Sequence, residues 1–216
     1  MDARLAIVLF TAALTAFSPP AFPQPANREQ AVSELSSADA ATRAQAVVWL
    51  ANRGSMADAP LLHERLRDES AFVRSYAERG LWLLWGRSGD AEVDRLMARG
   101  SDEQQSGRLD EAISTYSEVI ARKPEFAEGW NRRATAYYLA GDFNRSIADC
   151  DEVLKRNPLH FGALSGLGQI YTRLEDYEAA LRWFRKALEV NPNMVGVEFN
   201  IEGVRQELER RRGKST

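Results

Sequence analysis

The chain has 216 residues, 44% of them hydrophobic, which is enough for one large or two small packed domains and too many for a disordered chain. Its 28 basic and 31 acidic residues leave a net charge of −3, so the broad basic surface expected of a nucleic-acid-binding protein is absent. The single cysteine, Cys150, excludes an internal disulfide.

At the amino terminus Arg4 precedes an apolar run over residues 5–17, and residues 18–26 are rich in proline and small side chains. This is the pattern of a secretory signal peptide, and the run is shorter than the ~20 residues that cross a bilayer comfortably. The expectation is export, to a bacterial periplasm, with residues 1–26 as the signal segment and Ala16, Ala21 or Ala26 as the last residue removed. An uncleaved anchor is the alternative. The mature chain is expected to have no integral membrane span.

Residues 27–90 follow one rhythm. Leu35, Arg43, Ala46 and Leu50 recur as Leu66, Arg74, Ala77 and Leu81, each pair 31 apart, and Ala44, Val47, Val48 and Ala51 keep helical spacing. The segment from Asp68 to Arg74 resembles the inter-helix segment of HEAT-like repeats, in which an acidic turn leads into a helix whose early arginine caps or bridges the stack. The apolar run over residues 80–86 is too short for a membrane and reads as core, with an exposed partner patch around Trp82 and Trp85 as the alternative.

Residues 91–216 follow another. Pro124, Pro158 and Pro192 are spaced by 34, as are Tyr116, Cys150 and Phe184. In the central unit Trp130, Ala134, Tyr137 and Tyr138 form one helical face and Ile147, Cys150, Val153 and Leu154 another, separated by a break at Gly141-Asp142 and closed before Pro158. One such hairpin cannot bury both stripes alone, so stacked neighbours are required. The period, Trp130 and Leu164 near the start of their units, Gly100 and Gly168, Ala112 and Ala180, and the closing proline resemble the tetratricopeptide repeat. The resemblance implies an all-α, right-handed helical-repeat solenoid: HEAT-like helices, then units at 93–126, 127–160 and 161–194, then a capping helix over 195–212. Residues 80–210 are similar more narrowly to small exported bacterial proteins of this family with undefined activity.

No reaction is indicated. His63 and His160 lie in different repeat types, and His160 reads as a polar surface residue of an inter-repeat turn. Asp149 with Asp151, and Glu175 with Asp176, read as solvated faces. Gly162, Gly166 and Gly168 mimic a dinucleotide fingerprint but no strand precedes them. Catalytic residues, a metal site and a cofactor are therefore not expected, nor is a nucleic-acid partner. Cys150 falls in the core file of Tyr116 and Phe184.

What the resemblance implies is a concave wall lined by the first helix of each unit. By carry-over of family positions it comprises Met97, Ser101 and Gln104, then Asn131, Thr135 and Tyr138, then Ser165, Gln169 and Thr172, with Arg173 at the rim. Such a polar wall with one aromatic suits an extended protein segment or peptide; plain hydrated helix faces, a subunit role for the convex face, and an enzyme with an unrecognised site are the other readings. The family's clamp for a terminal carboxylate, built from Lys, Asn and Arg, is replaced here by Met97, Ser101, Arg132, Gly162 and Gly166. Export predicts that the mature protein starts between residues 17 and 27. Mass spectrometry of the amino terminus checks this, and a product beginning at Met1 refutes it.

Overall fold

The computed structural model describes residues 24–213. The expected signal segment therefore lies almost entirely outside the described residues. Those residues form eleven α-helices and one 3-10 turn, with no strand among them, and none of the helices is long and apolar enough to cross a membrane. They divide into two compact units, one running to Arg87 with Asn191–Asn193, the other comprising Ser88–Val190 and the segment from Met194 onward.

The first unit is two helical hairpins, α1 (Arg28–Glu34) with α2 (Ala40–Arg53), and α3 (Ala59–Arg65) with α4 (Ala71–Trp85). Asn27 and Asp39 start α1 and α2 by accepting the backbone N–H groups of Gln30 and Thr42. The stretch of α2 from Arg43 to Ala51 is buried throughout and packs on α4. Close approach there needs Gly80, since a Cβ would meet Leu62 Cδ2 at 2.9 Å and Ala51 Cβ at 3.0 Å. The recurring arginines do the same work 31 residues apart. Arg43 donates to the carbonyls of Ser37 and Ala38, and Arg74 to those of Asp68 and Glu69, so each ties down the turn before its own helix. Arg43 also grips the buried Asp68 with both Nε (2.8 Å) and Nη2 (2.7 Å), joining the two hairpins. Of the apolar run, Leu81, Leu84 and Trp85 are buried, with Trp82 edge-on to Trp85.

The second unit stacks α5 (Ala91–Gln105), α6 (Leu109–Arg122), α7 (Ala127–Leu139), α8 (Phe143–Arg156), α9 (Phe161–Arg173), α10 (Tyr177–Val190) and α11 (Val195–Arg212), each packing on its successor. Each hairpin turn needs one left-handed residue: Gly107 (φ 75°), Gly141 (φ 81°) and, in the third, Glu175 (φ 61°). The contact between the two helices of a hairpin is set by size. Gly100 faces Tyr116 and Gly168 faces Phe184, whereas the middle hairpin pairs Ala134 with the smaller Cys150 in one cluster. Small meets large twice, and medium meets medium once.

A neighbouring file changes its chemistry without changing its place. Arg99 donates to Thr115 (3.1 Å), Arg133 clasps the buried Asp149 (2.8 and 2.9 Å), and Leu167 packs with Trp183 in the equivalent apolar cluster. The missing apolar stripe of α5 is thus a satisfied polar one, with Glu103 buried and bonded to Thr115. Asp149 is accordingly no solvated face, contrary to expectation: its period aligns it with a core contact. Trp130 is half-buried, its Nε1–H donating to Pro124 O, with Arg133 and Arg156 lying over its ring. On α11, Val197, Ile201 and Val204 close the apolar end of the stack against Leu164, Leu181 and Phe184.

Two tests follow from these contacts. Adding a Cβ at Gly168 puts it 2.4 Å from the Phe184 ring, whereas one at Gly203 meets open space. Gly168→Ala should lose about 1–3 kcal/mol despite its better helix propensity, and Gly203→Ala should gain up to about 1 kcal/mol, both read by urea denaturation. Cys150 is buried, and burial pushes its thiol pKa up, so it should resist alkylation until unfolding. Alkylation of the native protein at the rate of a free thiol would refute that packing.

Candidate functional site: the wall formed by α5, α7 and α9

The three first helices carry the expected wall positions in register, since Met97, Asn131 and Ser165 are 34 apart, as are Ser101, Thr135 and Gln169. Met97, Ser101, Asn131, Thr135, Tyr138, Gln169 and Thr172 are half-buried, and Arg173 is exposed. Gln104 and Ser165 are buried, so they support the wall without presenting a full side chain. Thr135 and Thr172 donate their hydroxyl protons to the carbonyls of Asn131 and Gly168 on their own helices, which leaves each an acceptor. Ser101 accepts from Gln105 Nε2 at 3.0 Å. The Tyr138 ring leans on Phe143, 5.8 Å between centroids, and on the α7–α8–α9 core. Burial pushes its phenol pKa up, and the nearby Arg173 opposes the rise.

The centre of the wall is a buried network that sequence reasoning missed. Glu128, 1% exposed at its side chain, accepts from Arg132 Nε at 2.6 Å and from Asn131 Nδ2 at 3.0 Å. His160 Nε2 lies 3.2 Å from the same carboxylate, while its Nδ1 accepts the Ala163 N–H and caps α9. An Nδ1 that accepts the Ala163 N–H places a proton on Nε2, which donates to Glu128. His160 is fully buried, which corrects its expected place on the surface. The signal was present in the repeat: His160 shares its file with Phe126 and Met194, an apolar position. Glu128 gave no such sign, because the equivalent residues are Asp94 and Gly162.

Burial pushes the Glu128 carboxyl up, but Arg132 and the His160 hydrogen bond outweigh it and hold the pKa at about 2 in place of 4.5. Arg132, whose side chain is 17% exposed, spends only Nε on this pair, and neither Nη makes a hydrogen bond among the described residues. On the opposite side of α7, Asp110, Tyr137, Asp142, Arg145 and Leu174 line an open cleft of about 530 Å³ at the hairpin turns. Among the described residues no group of three or more His, Cys, Asp or Glu side chains is placed to hold a metal.

A depressed folded-state carboxyl contributes stability that is complete above the unfolded value of 4.5 and is lost as pH falls from there toward 2. Glu128→Gln should therefore flatten the acid limb of the stability curve over that window. At neutral pH it should cost about 3–5 kcal/mol, the penalty for breaking a buried pair on one side. Chemical denaturation as a function of pH measures both.

The tetratricopeptide repeat family is matched at residues 97–156 and again at 162–194. A TPR repeat-containing protein of Rhizobium etli is 36% identical over 110 residues, covering 51% of this chain and 54% of that protein. The small glutamine-rich tetratricopeptide repeat-containing protein of Dictyostelium discoideum is 33% identical over 103 residues, covering 48% of this chain and 31% of its own length. The chain thus spans about half or less of these curated relatives. Among solved structures, the first TPR of Spaghetti (RPAP3) bound to an HSP90 peptide superposes with a TM-score of 0.53 at 25% identity, covering 56% of this chain and 96% of that one. The Sgt2 TPR domain of Aspergillus fumigatus gives 0.56 at 21% identity, covering 59% and 85%, and supports the fold alone. Period, hairpin geometry and these matches agree that residues 97–156 and 162–194 are repeats of the tetratricopeptide repeat family.

Proposed function

We propose that this chain is a non-catalytic adaptor that holds an extended peptide or protein segment along the wall of α5, α7 and α9. The observation that carries the reading is the wall's composition. Along three helices in one register it offers half-buried Met97, Ser101, Thr135, Tyr138, Gln169 and Thr172, uncharged side chains with acceptors and amides that suit a peptide backbone. The RPAP3 domain with its HSP90 peptide, and the yeast Sti1 TPR2B domain in its pHsp70 complex, support peptide binding as the use of this fold. At the positions of the family's carboxylate clamp Met97, Ser101, Gly162 and Gly166 supply no cation and Arg132 is paired with Glu128, so the partner differs in kind from a carboxylate-ended tail. The reading includes export, supported by the apolar run over residues 5–17, so the partner belongs to the cell envelope.

Backbone amide NMR with a bound partner peptide tests the location. Shifts should concentrate on α5, α7 and α9, and a map confined to α6, α8 and α10 would refute the groove. Tyr138→Leu combined with Gln169→Ala removes an aromatic anchor and an amide while leaving Asn131 to hold Glu128. It should weaken binding by about 2 kcal/mol, roughly thirty-fold.

A further inference from the structure

We infer that Arg132 is the hydrogen-bond donor of the wall for a main-chain carbonyl of the bound peptide, and that the ligand is recognised as an uncharged extended segment. The inference rests on the groove reading above and names the chemistry of its centre. Glu128 and Arg132 are four residues apart on α7, which places them on one helical face with Asn131 and Thr135 of the wall. Their pairing through Nε alone leaves the guanidinium's outer edge, Nη1 and Nη2, with no hydrogen bond among the described residues. The side chain is 17% exposed and neither Nη is shut off from solvent, so water satisfies the fork in the free protein and a ligand carbonyl can take its place.

The donor is also rigid. Asn131 and His160 hold the second oxygen of Glu128, His160 is itself fixed by the Ala163 N–H, and Glu128 fixes Arg132. That chain of bonds reduces the entropy lost when the fork meets a ligand. A second atom beside it lacks a partner. The Tyr116 hydroxyl is buried with no hydrogen-bond partner among the described residues; burial pushes its pKa up to about 12, and the charge of Arg132 opposes the rise.

Charge decides between a carbonyl and a carboxylate. Glu128, at 2.6 Å, cancels the charge of the guanidinium. A net-neutral fork gives good geometry to a carbonyl oxygen but no long-range pull on an anion.

The test uses the mature protein and a synthetic library of nine-residue peptides, each made as a free acid and as a carboxyl-terminal amide, read by fluorescence polarisation. A binder should hold equally well, within about threefold, in both forms, and should lose little affinity in high salt. Arg132→Lys keeps a cation for Glu128 but removes the planar outer edge, so the fold should survive by circular dichroism while affinity falls roughly tenfold or more. Preference for the acid by about tenfold or more overturns the inference, as does parental affinity in the folded Arg132→Lys protein. In both cases amide shifts still on α5, α7 and α9 leave the groove reading standing. If no peptide in the library binds, both fall.

Discussion

A carboxylate with no access to water persists only where donors surround it, and Glu128 is such a group at the middle of the repeat stack. Its three donors come from two places: Arg132 and Asn131 from its own helix, and His160 from the cap of α9. The capping bond to Ala163 passes the same interaction into the start of α9. One buried charge therefore sets the junction between the second and third hairpins and the posture of the side chains on the wall. Its cost is offset because each of its oxygens has a partner.

The rest of the stack shows how a repeat keeps its geometry while its chemistry drifts. The contact between the two helices of each hairpin is Gly with Tyr, Ala with Cys, and Gly with Phe, so the interhelical volume is held while the residues change. Beside it, Arg with Thr, Arg with Asp, and Leu with Trp occupy one file. A polar pair can replace an apolar one there only because both partners change together, and an unmatched arginine or aspartate would be left without a bond.

This internal pairing bears on the proposed groove. The charges nearest the wall on α7 are neutralised within the protein, Arg133 by Asp149 and Arg132 by Glu128, and Arg173 is exposed at the rim. If the wall holds a peptide as proposed, this internal cancellation favours selection by shape and hydrogen-bond pattern over net charge. On α11, the residue in the file of Met97, Asn131 and Ser165 is Phe199, 76% exposed, so the far end of the same row is apolar.

The sequence by itself determined the repeat: period 34, the hairpin break at Gly141-Asp142, the core place of Cys150 and the limits and covering role of α11. These are legible because helix breakers and apolar periodicity are local properties, and repetition measures them three times over. It also marked the recurring arginines of the first unit, whose partners are backbone carbonyls a few residues away. Only the tertiary structure decided which polar residues are buried. Asp149, Glu128 and His160 each look like surface residues in their local context, and each is buried by a partner from another helix, 16 residues away for Asp149 and 32 for the Glu128–His160 pair. The wall residues divide for the same reason: Gln104 and Ser165 are covered while Gln169 and Thr172 are not. Burial of a polar group is a property of the pair, and the pair forms only when the hairpins stack.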